Sequence, residues 1–186
     1  MRIFDLTTRQ MIYVSLMAAS LFAINLVSGG ALSAATGIPM ANDILTAFTI
    51  GLWDCLLIKT LPRFGTFTAF YTIYSILELP TTLGGAPGFW PKVPINAFTG
   101  LIADTILRLA GYREWSIYVV WYSLSTVNVL VFLWVLHLMG VPGIDTTFLI
   151  VHWIILSYWV FGTIGIVFGS RIFSRIRDWP IVRILQ

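Results

Sequence analysis

Six long apolar stretches, separated by short segments rich in Gly and Pro, leave this chain little choice of fold. They run over about residues 11–27, 44–61, 65–79, 95–111, 115–139 and 146–169. The breaks SGGALSAATGIPMA, LPRF, PTTLGGAPGFWPKVP and GVPGID carry the residues that end helices. Only 10% of the residues are charged and 58% are hydrophobic, against about 25% charged in a soluble domain. A membrane span needs about 20 residues, so six spans nearly exhaust the 186 residues. The expectation is an all-α membrane protein: one domain over 1–186, a compact bundle of six transmembrane helices, with 170–186 as a basic tail. The third and fourth stretches are short for a hydrocarbon core of about 30 Å and call for shielding by neighbouring helices. The first is read as a retained helix and not a cleaved leader, because its apolar run exceeds the usual length of one.

The basic residues report orientation. With a cytoplasmic amino terminus, six spans place Arg2, Arg9, Lys59, Arg63, Arg108, Arg113, Arg171, Arg175, Arg177 and Arg183 inside and Lys92 alone outside. Dropping one span would scatter the arginines over both faces. Both termini are therefore expected in the cytoplasm, with the protein multi-pass in the cell membrane. The tail RIFSRIRDWPIVRIL alternates basic and apolar residues, as a segment lying on anionic headgroups or docking a cytoplasmic partner would.

Several chemistries lack their residues. There is no GxxxxGK[ST] phosphate loop, and no HExxH, CxxC or GxSxG. The chain is not expected to be an enzyme or to hydrolyse ATP itself. Cys55 is the single cysteine and reads as packing. No metal and no cofactor are expected. The halves show no repeat of the kind autonomous carriers carry.

Polar side chains within a bilayer cost several kcal/mol unless paired or hydrated, so they mark cavities or internal pairs. Counting about 1.5 Å per residue from the helix ends puts Asp54, Lys59, Asp104 and Arg108 in the inner half. There Asp104 and Arg108, at i and i+4, can pair, and Asp54 with Lys59, near the inner interface, can pair or snorkel. Asn42, Asp43, Glu78, Asn96, His137, Asp145 and His152 fall toward the outer face, with Asn128 and Tyr158 near the midplane. Convergence from separate segments suggests a ligand cavity opening outward. Glu78 is the natural counter-charge for a cationic ligand. Trp90 and Lys92 sit in an outer loop, where the indole either stacks on a ligand or belongs to the interfacial belt. His137 either caps its helix or contacts ligand, and His152 either serves the cavity or is a satisfied structural histidine. The substrate-binding candidates are thus Asn42, Asp43, Glu78, Trp90, Lys92, Asn96, Asn128, His137, His152 and Tyr158.

Ser15, Ala19 and Ala23 form a small-residue stripe on the first span, and Gly165 with Gly169 repeats the spacing on the last. Such stripes let another helix approach closely, inside the bundle or from outside it. Six spans, cytoplasmic termini, the Ala19-xxx-Ala23 pair, a long first outer loop and no ATPase together resemble the substrate-binding S component of energy-coupling factor (ECF) vitamin transporters. IPMANDILTAFTIGLWDC, LELPTTLGGAPG and GLIADTIL look most like the S components for thiamine or its pyrimidine precursor. The resemblance implies capture of a small water-soluble vitamin in the outward cavity and ATP hydrolysis in trans by two cytoplasmic ATPases. It also implies docking on a transmembrane coupling subunit through Ala19 and Ala23, with Ser15 extending the surface. The nickel and cobalt members use a histidine near the start; here His137 is the first, which favours an organic substrate. The alternatives are an intramembrane enzyme acting on a lipid or isoprenoid through His137, His152 and Asp145, or a non-catalytic membrane scaffold.

Overall fold

Helices account for the regular structure in a computed structural model of the chain, which describes residues 6–36, 41–81, 83, 87–140 and 144–185. In chain order they are α1 (Thr8–Thr36), α2 (Ala41–Thr60), α3 (Thr66–Glu78), α4 (Lys92–Ala110), α5 (Glu114–Leu138), α6 (Ile144–Leu149), α7 (Val151–Ile176) and α8 (Pro180–Leu185). Among the described residues no strand occurs. Four stretches among them are long and apolar enough to cross a membrane: Thr8–Ser28 within α1, α4, α5 and α7. Leu16, Val27, Leu109, Trp134 and Trp153 are among the large apolar side chains turned outward, a surface suited to lipid and not to water.

Boundaries depart from the hydropathy reading in two places. α1 runs on to Thr36, through the Gly29–Gly30 pair expected to end it, because glycine within an apolar helix is tolerated in membranes. The last apolar stretch is divided: α6 ends at Leu149, Ile150 adopts φ −110° and ψ 6°, and α7 then continues to Ile176, past the expected start of the tail.

The six longer helices form a closed ring in which α1 touches α2 and α3, α3 packs on α4, α4 on α5, α5 on α7, and α7 on α2. The α2/α7 seam is built on glycine. A methyl group at Gly51 would collide with the backbone of Gly162, and one at Gly165 with the carbonyl of Phe48. At Gly169 it would stand 2.8 Å from the Leu52 carbonyl oxygen. The Gly165/Gly169 stripe is thus spent inside the bundle, and Cys55 is buried against the same seam.

Short α3 is held at both ends by its antiparallel neighbour. At its start, Gly65 has φ 95° and offers no side-chain cap. The Asp104 carboxylate of α4 supplies one, accepting from the Phe67 N–H at 3.1 Å, the Thr68 N–H at 2.9 Å and the Thr68 hydroxyl at 2.7 Å. At its end, the fully buried Lys92 ammonium of α4 donates to the carbonyls of Glu78 at 2.8 Å and Leu83 at 2.9 Å. An anion at the helix start and a cation at its end both complement the helix dipole.

Two expected ion pairs are replaced. Asp104 turns to α3, while the Arg108 guanidinium lies 5.5 Å from the centre of the Phe64 ring, because orphan N–H groups of α3 compete better for the carboxylate than an exposed guanidinium does. Lys59 is five residues from Asp54, about 140° around the helix. It bonds Glu114 and Ser170, each at 2.8 Å, and Asp54 instead accepts from the Tyr71 hydroxyl at 2.7 Å.

Candidate functional site

A cavity of about 420 Å³ opens in the half of the ring where α3 ends and α4 begins. α2 contributes Thr46 and Ile50; α3 contributes Tyr71, Tyr74 and Glu78; α4 contributes Asn96 and Thr99. Trp121, Leu124, Ser125, Asn128, Val129, Phe132 and Leu133 of α5 form the longest wall. Thr147 of α6, Ile150, and Ile154 and Tyr158 of α7 close the far side, with Leu83 at the rim. Among the described residues Glu78 is the one carboxylate on its surface.

Neighbours hold several of the polar groups on that surface. The Tyr74 hydroxyl stands on the same helix one turn before Glu78, and both side chains line the cavity. Asn25 of α1, buried behind it, donates to Tyr74 through Nδ2 at 2.8 Å, and its Oδ1 accepts from the Thr49 hydroxyl of α2 at 2.8 Å. The Thr49–Asn25–Tyr74 relay therefore ties α2, α1 and α3 to the wall that carries Glu78. Across the cavity, Asn128 Nδ2 donates to Asn96 Oδ1 at 3.0 Å and to Thr99 Oγ1 at 3.2 Å. The Trp121 indole N–H donates to the Tyr158 carbonyl at 3.2 Å, and the ring fills the space that a side chain at Gly162 would need.

The cavity brings together Glu78, Asn96, Asn128 and Tyr158 of the residues named from sequence. Lys92 is buried under the end of α3. Trp90 is 70% exposed and does not line the cavity. His137 Nδ1 lies 3.0 Å from Asp145 Oδ1 on the exposed face joining α5 to α6. His152 is exposed, its ring beside that of Trp153. Asn42 and Asp43 fall in the first turn of α2, and their side chains lie outside the described residues. On α1, Ala19 and Ala23 are exposed and Ser15 is half-buried, its hydroxyl bonded to the Met11 carbonyl at 2.9 Å. That stripe faces away from the cavity.

Sequence reasoning passed over Asn25, Tyr74 and Thr99, and took Trp121 for a lipid-facing or core-packing aromatic. Asn25 had a signal, an amide inside an apolar span, and Tyr74 another, a hydroxyl four residues before a carboxylate. Thr99 and Trp121 had none, because their inward rotation depends on packing.

The sequence profile of a family described as a hypothetical bacterial integral membrane protein (Trep_Strep) matches residues 8–142. That span holds Asn25, Glu78, Asn96, Trp121 and Asn128, and ends before Tyr158. No curated protein and no solved structure matches the chain.

Proposed function

The chain belongs to the Trep_Strep family of bacterial integral membrane proteins, and from that premise we propose that it is the substrate-capture subunit of an ATP-coupled importer. Its cargo is a small water-soluble vitamin or precursor, thiamine-like in chemistry, and ATP is hydrolysed by two cytoplasmic partner subunits. In this reading six helices span the cell membrane with both termini cytoplasmic, which turns the cavity outward.

The observation that carries the reading is the cavity itself. A ring of helices that is apolar outside encloses a carboxylate, an amide pair and aromatic walls, the mixture that orients and covers a small polar molecule. The stripe Ser15, Ala19 and Ala23 lies on α1, none of whose described side chains lines the cavity, where a transmembrane coupling subunit could dock without blocking ligand.

Native mass spectrometry of the gently purified chain, then thermal-shift titration with the co-purified molecule and with thiamine, tests capture. A ligand at about 100 times its Kd adds about 2.7 kcal/mol of stability, which wild type should show and Glu78→Ala should lose. If no small molecule stabilises the chain while lipid is turned over, capture is wrong. The reaction would then be sought at His137, Asp145 and His152.

A further inference from the structure

The amide pair on the cavity wall has a fixed polarity. The Thr99 hydroxyl has one proton, donated to the Ile95 carbonyl at 2.9 Å, so its oxygen can only accept from Asn128. Asn128 must therefore turn Nδ2 toward Thr99. Its two amide protons go to Thr99 Oγ1 and Asn96 Oδ1, which exhausts its donors. The carbonyl of Asn96 then faces Asn128, and the Asn96 amide turns its N–H group away. What remains unused on the pair is one acceptor, Asn128 Oδ1, and one donor group, Asn96 Nδ2. Among the described residues neither atom has a hydrogen-bond partner, and neither is sealed, since the one buried unpartnered side-chain atom among them is Asp54 Oδ1. Both residues line the cavity, as do the aromatic side chains of Trp121 and Phe132.

We propose that Asn96 and Asn128 form the specificity-determining edge of the cavity and select a planar nitrogen heterocycle that places a hydrogen-bond acceptor beside an N–H donor. The proposal rests on the capture reading and adds the class of molecule. The heterocycle lays its acceptor on Asn96 Nδ2 and its donor on Asn128 Oδ1, while its ring lies against the aromatic wall. A ring with acceptors alone leaves Asn128 Oδ1 unpaired, and one with donors alone leaves Asn96 Nδ2 unpaired. A desolvated polar group left without its partner is the strong term in discrimination.

Saturation-transfer NMR on the full chain in lipid nanodiscs tests the edge with three neutral probes. They are 4-aminopyrimidine, with acceptor beside donor; pyrimidine, with acceptors alone; and 1,2-diaminobenzene, with donors alone. Wild type should bind 4-aminopyrimidine at least about tenfold tighter than either of the others. Asn96→Asp is nearly isosteric and keeps an oxygen toward Asn128, but puts an acceptor where the donor was. Its ranking should reverse in favour of 1,2-diaminobenzene. Asn96→Ala should flatten the ranking and serves if the aspartate variant does not fold. An unchanged ranking in these variants, or no binding of 4-aminopyrimidine to wild type, overturns the edge. Glu78-dependent stabilisation by a co-purified molecule would then leave capture standing, whereas its absence removes both.

Discussion

Gly165 and Ala19 each begin a small-xxx-small pair, yet they face opposite ways, and the consequence of enlarging each differs accordingly. At Gly165 a methyl group meets backbone, with the Leu52 nitrogen at 2.9 Å and the Phe48 carbonyl closer still, so α2 and α7 must separate to admit it. Overpacking of this kind costs about 1–3 kcal/mol. Gly165→Ala should lower the thermal midpoint of the detergent-purified chain accordingly, followed by circular dichroism or tryptophan fluorescence. Ala19→Leu, on an exposed position, should leave that midpoint within about 0.5 kcal/mol of wild type. Equal losses at the two sites would mean that the stripe on α1 packs internally. The sequence shows that both stripes permit close approach, but spacing is silent on which partner takes it up, because helix rotation is set by the packing of all six helices together.

α3 and α4 act as one unit, since two side chains of α4 terminate α3. Three hydrogen bonds converge on Asp104, and Asp104→Asn turns one acceptor into a donor that faces N–H groups. The expected loss is about 1–3 kcal/mol, read as a lower thermal midpoint. Lys92→Met keeps the apolar stem but leaves the Glu78 and Leu83 carbonyls without their donor, at a similar cost. Because Lys92 holds the turn of backbone that carries Glu78, this variant should also weaken ligand binding, which Asp104→Asn, at the far end of α3, should not. Local spacing could not reveal the caps. It makes Asp104 and Arg108 neighbours at i and i+4, and the rule is sound for an isolated helix, but the unpaired N–H groups at the start of α3 belong to another element. By contrast, the positions of the six longer helices were legible as apolar runs. The depth count placed Glu78 and Asn96 toward one face and Asn128 and Tyr158 near the midplane; all four line the cavity. It could not separate them from His152 and Trp90, which share that depth and turn outward.

At the scale of the molecule, the closed ring would let the two proposed jobs, capture and docking, fall to different helices. The cavity is lined from α2 through α7, and among the described side chains none of α1 is on its surface. The link between them is Asn25, whose amide joins Tyr74 to Thr49 from inside the ring, two residues along α1 from exposed Ala23. If α1 is the docking helix of an importer, capture and transport should separate by mutation. Ala23→Leu adds bulk outside the ring without touching the cavity. The purified variant should bind ligand with a Kd within about twofold of wild type by thermal-shift titration, since a surface change away from the site moves free energy by less than about 0.5 kcal/mol. In cells that also make the coupling subunit and its ATPases, uptake of labelled ligand by the variant should fall to the level of cells lacking this chain, and the coupling subunit should no longer co-purify with it. Ala23→Gly, which keeps the surface smooth, should restore both. Normal uptake by Ala23→Leu would move the docking surface to another face, and lost binding in the purified variant would mean that α1 shapes the cavity through Asn25 after all.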